Sequence, residues 1–199
     1  MRVFLIIALL STHVFSLFSQ TTTNSFEVIY NGSSIGSLEA SKIMKSPRST
    51  INLKSNTDAK VLIISVHVES EVNLTKYKDV LFKGIGYCHA NRGSKDVLTK
   101  VTKMKSHYYK MVKNGKRTNI KVSEIKYCVA DLYFTEPKGI TSIFSNTEGD
   151  FLPITPQENN AYKLSLPNGR SSTYYYTNGL LTHVETEITF GSITFKKKG

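Results

Sequence analysis

The chain contains no tryptophan and only two cysteines in 199 residues. Two cysteines exclude a disulfide-dense mini-scaffold and an all-thiolate zinc site, which needs four. Acids are scarce, 15 Asp and Glu against 26 Lys and Arg. That imbalance excludes an acidic disordered chain and favours polyanionic partners over polycationic ones. Five prolines and twelve glycines are too few for a collagen-like or low-complexity chain. Past residue 18 no apolar run approaches the ~20 residues that a spanning helix requires.

A short signal-like segment opens the chain. Met1-Arg2 gives a positive start, Val3 to Leu10 is unbroken apolar sequence, and no further charge appears before Glu27. This is the form of a cleavable secretory leader. It predicts residues 1–19 as signal peptide, with cleavage after Ser19 or after Ser16, and 20–199 as one mature domain. The apolar run is too short for a retained anchor. No cysteine follows it closely enough to be acylated. The expected product is periplasmic or secreted, with no integral membrane anchor.

Turn signals divide the mature part. Asn-Gly occurs at 31–32, 114–115, 168–169 and 178–179. Both residues tolerate the positive φ that a two-residue hairpin demands. The segments between alternate with period two. In Leu62 to Leu74 the even positions are mostly apolar, while Ser65, His67, Glu69, Glu71 and Asn73 occupy the odd ones. In Leu180 to Phe190 the same reading puts Leu180, Val184, Ile188 and Phe190 on one face, with His183, Glu185 and Glu187 opposite. The fold class is all-β: an antiparallel meander of about ten to twelve strands, forming a barrel or a strongly curved sheet. Residues 123–133 tolerate a short helix.

Charge is uneven. Once Arg2 leaves with the leader, 25 bases face 15 acids, a net +10. Residues 92–126 hold eleven bases and two acids, and so +9 of that excess. Lys103, Lys105, Lys110, Lys113, Lys116 and Arg117 form a candidate anion-binding set, interleaved with Tyr108 and Tyr109. Export argues against nucleic acid as the partner.

Catalytic motifs fail on context. Gly32-Ser33-Ser34-Ile35-Gly36 matches G-x-S-x-G, but a nucleophile elbow needs a strand turning into a helix. Here the first glycine belongs to a hairpin turn. Cys88 and His89 are adjacent on a strand and face opposite ways, so they form no dyad. An H-x-E-x-E pattern occurs twice. If the two strands were neighbours, His67 and Glu69 would meet His183 and Glu185 in one polar cluster. The alternative is an ordinary solvent face. Cys88 and Cys128 can pair as a disulfide in an oxidising compartment or stay as two buried thiols. No metal site, no cofactor and no reaction is indicated.

Several segments carry a resemblance: Asn31-Gly32 with Ile35-Gly36, Leu132-Tyr133-Phe134-Thr135-Glu136-Pro137, Ile143-Phe144-Ser145 with Glu148-Gly149, Tyr162 to Pro167, and Tyr174 to Gly179 with Val184-Glu185. Together they resemble a family of small secreted proteins of Gram-negative bacteria classed as a domain of unknown function. The resemblance implies an exported β-rich domain and carries over no catalytic role. It also implies that the cysteine pair is peculiar to this chain.

Two functions are expected. The first is a non-enzymatic binding protein holding an apolar or amphipathic ligand in the concavity of the sheet. The second is an envelope protein binding anionic polysaccharide or lipid head groups through the basic stretch.

Overall fold

The computed structural model describes residues 19–61, 64–92, 96–105 and 107–199. Residues 1–18 of the expected leader, Leu62-Ile63 and Lys95 lie outside the described residues.

Among the described residues there are fourteen strands, more than the ten to twelve expected. They run β1 Gln20–Tyr30, β2 Ser33–Lys45, β3 Arg48–Val61, β4 Ile64–Tyr77, β5 Val80–Ala90, β6 Val97–Lys103, β7 Tyr109–Lys113 and β8 Lys116–Ile120. After a 3-10 helix at Val129–Tyr133 come β9 Ser142–Ser145, β10 Asp150–Gln157, β11 Ala161–Ser165, β12 Ser171–Thr177, β13 Leu180–Ile188 and β14 Gly191–Lys197. Their order is β8-β7-β6-β5-β4-β3-β2-β1-β14-β13-β12-β11-β10-β9. The sheet is a single antiparallel meander, joined to itself by the β1–β14 pair. It is open, because β8 and β9 end the order and do not pair with each other.

The hairpins follow the turn chemistry. Asn31-Gly32, Asn114-Gly115 and Asn178-Gly179 all have positive φ at both residues. Asn168-Gly169 differs: only the glycine is positive, and a wider loop closes between Leu166 and Arg170. Two further tight turns use Lys78-Asp79 and Asn159-Asn160, all four residues at positive φ.

A bulge corrects the phase expected for β13. Tyr175 pairs with His183 but Tyr176 pairs with Leu181, leaving Thr182 over. The extra residue swings Leu181 inward, 3% exposed, and leaves Leu180 outward at 61%. Strict alternation across 180–190 therefore fails at one residue. The G-x-S-x-G serine is an ordinary strand residue, Ser34 opposite Ile29.

The concave face is not empty. Residues 121–141 cross it and touch both halves of the sheet. The Leu81 N–H donates to the Ile125 carbonyl, and the Ile125 N–H donates to the Tyr109 hydroxyl. On the other side the Tyr176 hydroxyl donates to the Leu132 carbonyl at 2.7 Å. The Asn24 side chain donates to the Tyr133 carbonyl at 3.0 Å. Tyr133 meets Phe26 and Tyr174 edge to face. Ile125, Cys128, Ala130 and Leu132 are all within 1% of full burial.

An ion pair fastens this crossing segment. Lys76 on β4 is 4% exposed, and its Nζ lies 2.6 Å from Asp131 Oδ2 and 2.8 Å from the Lys126 carbonyl. The same Asp131 oxygen accepts the Cys128 N–H at 2.8 Å. A buried charge survives only with such compensation. At the opposite end the turn Ser145–Asp150 presses onto β5. A Cβ at Gly86 would lie 2.6 Å from the Asn146 carbonyl oxygen, so only glycine admits the turn there.

Candidate functional site

Apolar and cationic side chains converge in a groove beside the β4–β5 hairpin. It measures about 410 Å³ and is lined by Tyr77, Lys78, Val80, Phe82, Lys103, Met104, Lys105 and Glu124. The β4–β5 hairpin builds one wall. Its Lys78-Asp79 turn is tied to the neighbouring hairpin by the Lys78 N–H donating to the Pro47 carbonyl, 2.8 Å. Just beyond, Thr75 pairs with Lys83 but Lys76 pairs with Leu81. Phe82 is the extra residue. The bulge sends Leu81 into the core at 0% exposure and leaves Phe82 48% exposed. Tyr77 beside it is 46% exposed.

The loop between β6 and β7 supplies the other wall. The Met104 N–H donates to the Tyr108 carbonyl. Lys103 Nζ lies 5.4 Å from the Tyr109 ring centre and donates to the Ser123 carbonyl at 2.6 Å. A carbonyl satisfies a donor without cancelling its charge. Lys78 Nζ stands 5.9 Å from the Tyr77 ring. Among the described residues neither Lys78, Lys103 nor Lys105 makes an ion pair, whereas the acid of the groove, Glu124, is bonded to Lys126 at 3.2 Å. The groove is therefore a local excess of positive charge over an apolar floor.

The six basic residues singled out in the sequence do not form one site. Lys103 and Lys105 line the groove. Lys110 sits across from Thr102 and Asn119, and Arg117 across from Val112, on the outer face of β7 and β8. Lys113 is engaged at the far end of β7, donating to the Glu148 carbonyl at 2.7 Å with the Glu148 carboxylate at 3.5 Å. Lys116 stands beside it at the turn. Strand direction separates them: five residues of β7 span ~17 Å.

The histidine–glutamate cluster is likewise divided. His67 is on β4 and His183 on β13, with β3, β2, β1 and β14 between them. Five interstrand steps amount to ~24 Å along the sheet. His67 instead sits between two carboxylates, Nδ1 to Asp58 at 2.7 Å and Nε2 to Glu69 at 3.2 Å. Those hydrogen bonds, Asp58 first, raise its pKa above the ordinary histidine value. His183 stacks on Tyr175 at 4.1 Å, and burial lowers its pKa. Tyr175 donates to Glu185 at 3.2 Å. Among the described residues no three histidine, cysteine or carboxylate side chains group to hold a metal.

Of the two states open to the cysteines, a disulfide or two thiols, the structure has Cys88 and Cys128 as free thiols. Cys88 lies on β5 between Ser70 and Val97. Cys128 lies in the crossing segment against Phe144 of β9. Burial pushes both thiols upward, furthest for Cys128 beside Asp131, so neither is a ready nucleophile.

Sequence reading missed Tyr77, Lys78 and Phe82. The only signal for them was a Lys-Asp turn lacking glycine, and nothing local reveals a bulge. No helix among the described residues is long and apolar enough to cross a membrane.

No curated protein and no solved structure matches the chain. A family model does, over residues 26–198, nearly the whole of the β domain. The chain accordingly belongs to the family described as Domain of unknown function (DUF6134).

Proposed function

We propose that this is a non-enzymatic binding protein, exported to the cell envelope, whose groove takes the anionic head group of a lipid. One observation carries the reading: Lys78, Lys103 and Lys105 line the same groove as the exposed Tyr77 and Phe82 and the half-buried Val80 and Met104. The cations match a phosphate, and the apolar floor matches the first carbons of an acyl chain. A wholly hydrophilic polyanion would leave that floor wet. A ligand enclosed by the sheet finds its place taken, since residues 121–141 pack the concave face.

Vesicle co-sedimentation tests this directly. Residues 20–199 should bind phosphatidylglycerol-containing vesicles over pure phosphatidylcholine, more weakly as salt rises. The double variant Lys78→Gln, Lys105→Gln should lose about thirty-fold in vesicle affinity, at roughly a factor of five per cation. Lys110→Gln with Arg117→Gln should lose less than that. Equal losses from both pairs, or tighter binding to polygalacturonate than to the anionic vesicles, would overturn the proposal.

A further inference from the structure

A second groove, of about 600 Å³, lies where β13 and β14 run side by side and is lined by Thr182, His183, Thr194 and Lys196 to Gly199. His183 and Lys196 are direct cross-strand partners, as are Glu185 and Thr194. Their side chains share one face. Its position follows from the β13 bulge, because Thr182 is the inserted residue.

The bulge also decides which ring nitrogen of His183 carries the proton. The Thr182 hydroxyl donates its one hydrogen to the Tyr175 carbonyl at 3.0 Å. Its oxygen lies 3.0 Å from His183 Nδ1. With its hydrogen already used, that oxygen can only accept, so Nδ1 carries N–H and Nε2 carries the lone pair. The ring is clamped flat on Tyr175, 4.1 Å between centres and 6° between planes. Among the described residues Nε2 has no partner. Burial lowers the pKa of the imidazole, opposed by the Glu185 charge and aided by the smaller effect of Lys196.

The charges around it are defined. Glu185 accepts from the Tyr175 hydroxyl. Glu27 is the partner of Lys196 on β1. Among the described residues Lys196 and Lys198 form no ion pair, and the Lys198 N–H is anchored to the Ser25 carbonyl at 2.8 Å. An oriented lone pair beside free ammonium groups asks for a ligand that offers both a proton and a negative charge.

We infer that this groove binds a hydroxy acid, sugar acids included: His183 Nε2 accepts its hydroxyl and Lys196 with Lys198 holds its carboxylate. The site is separate from the lipid groove and does not depend on it. No bond is made or broken.

Titration calorimetry with gluconate tests the inference, with hexanoate as the carboxylate that lacks hydroxyls. Gluconate should bind and hexanoate should bind at least tenfold more weakly. His183→Phe keeps the stack on Tyr175 but removes Nε2, and should cost about tenfold in gluconate affinity. Lys196→Gln should weaken both ligands. Nitrogen NMR of the imidazole should show Nδ1 protonated and the Nε2 resonance moving with gluconate. Equal affinity for the two acids, an unchanged His183→Phe, or a proton on Nε2 in the free protein would overturn it.

Discussion

Inside the curve of the sheet, Lys76 is 4% exposed and its ammonium touches both the Asp131 carboxylate and the Lys126 carbonyl. At the rim, Lys105 is exposed and has no ion pair among the described residues. The aromatics divide in the same way. Tyr133, Tyr174 and Tyr176 are buried and pack edge to face on one another or on Phe26 and Tyr162. Tyr77 and Phe82 are about half exposed and face the groove. Lysine and aromatic rings thus hold the fold together in one region and are left unsatisfied in the other. Burial requires that every charge and hydroxyl find a partner. A surface makes no such demand, so uncompensated charge beside bare apolar area there is available to a ligand.

Removing one half of the interior pair tests the contrast most severely. Asp131→Ala leaves Lys76 charged and buried and also frees the Cys128 N–H. It should cost about 3–5 kcal/mol, read as a lower urea midpoint. Lys76→Met with Asp131→Leu removes both charges, and should cost clearly less than Asp131→Ala alone. If it costs more, the pair stabilises the fold beyond satisfying itself.

A milder change probes the tie between the crossing segment and β12. Tyr176→Phe keeps the ring but deletes the hydroxyl that donates to the Leu132 carbonyl. About 1–2 kcal/mol should be lost, because a buried acceptor is left unpaired. A loss below 0.5 kcal/mol, on the order of ordinary surface changes, would mean that water reaches this carbonyl.

At the rim the expectation reverses. Phe82→Ser should change stability by no more than roughly 0.5 kcal/mol, the usual range for exposed positions. It should nevertheless weaken binding to anionic vesicles. A stability loss comparable to that of Tyr176→Phe would place Phe82 in the core's energetics and remove the contrast.

Much of the fold was legible in the residues. Asn31-Gly32, Asn114-Gly115 and Asn178-Gly179 announce hairpins because few other residues accept positive φ twice in succession. Val72 and Leu74 on one side of β4, with His67, Glu69 and Glu71 on the other, show which face is wet. The hairpin of β9 and β10 was not visible. β9 has four residues, and Pro153 and Pro156 in β10 disguise a strand. The bulges at Phe82 and Thr182 were also hidden, since a bulge is a property of a pair of strands and not of either one. Both candidate grooves depend on those two bulges, which is why the sites were less legible than the fold. Lys103 and Lys105 could be named from charge density, but not their separation from Lys113 and Lys116. His183 could be named with Glu185, but not their separation from His67 and Glu69.

The sequence by itself determined that this chain is an antiparallel meander with a basic middle region. Those features are local: alternation sets the faces, turn residues set the reversals, and charge is a sum. Only the tertiary structure decided that residues 121–141 would fill the concave face, that Lys76 would be buried against Asp131, and which lysines would stand beside bare aromatics. Each of these joins residues far apart in the chain, Lys76 and Asp131 by 55 positions. Their proximity depends on how the whole sheet curves, and no short-range pattern records that curvature.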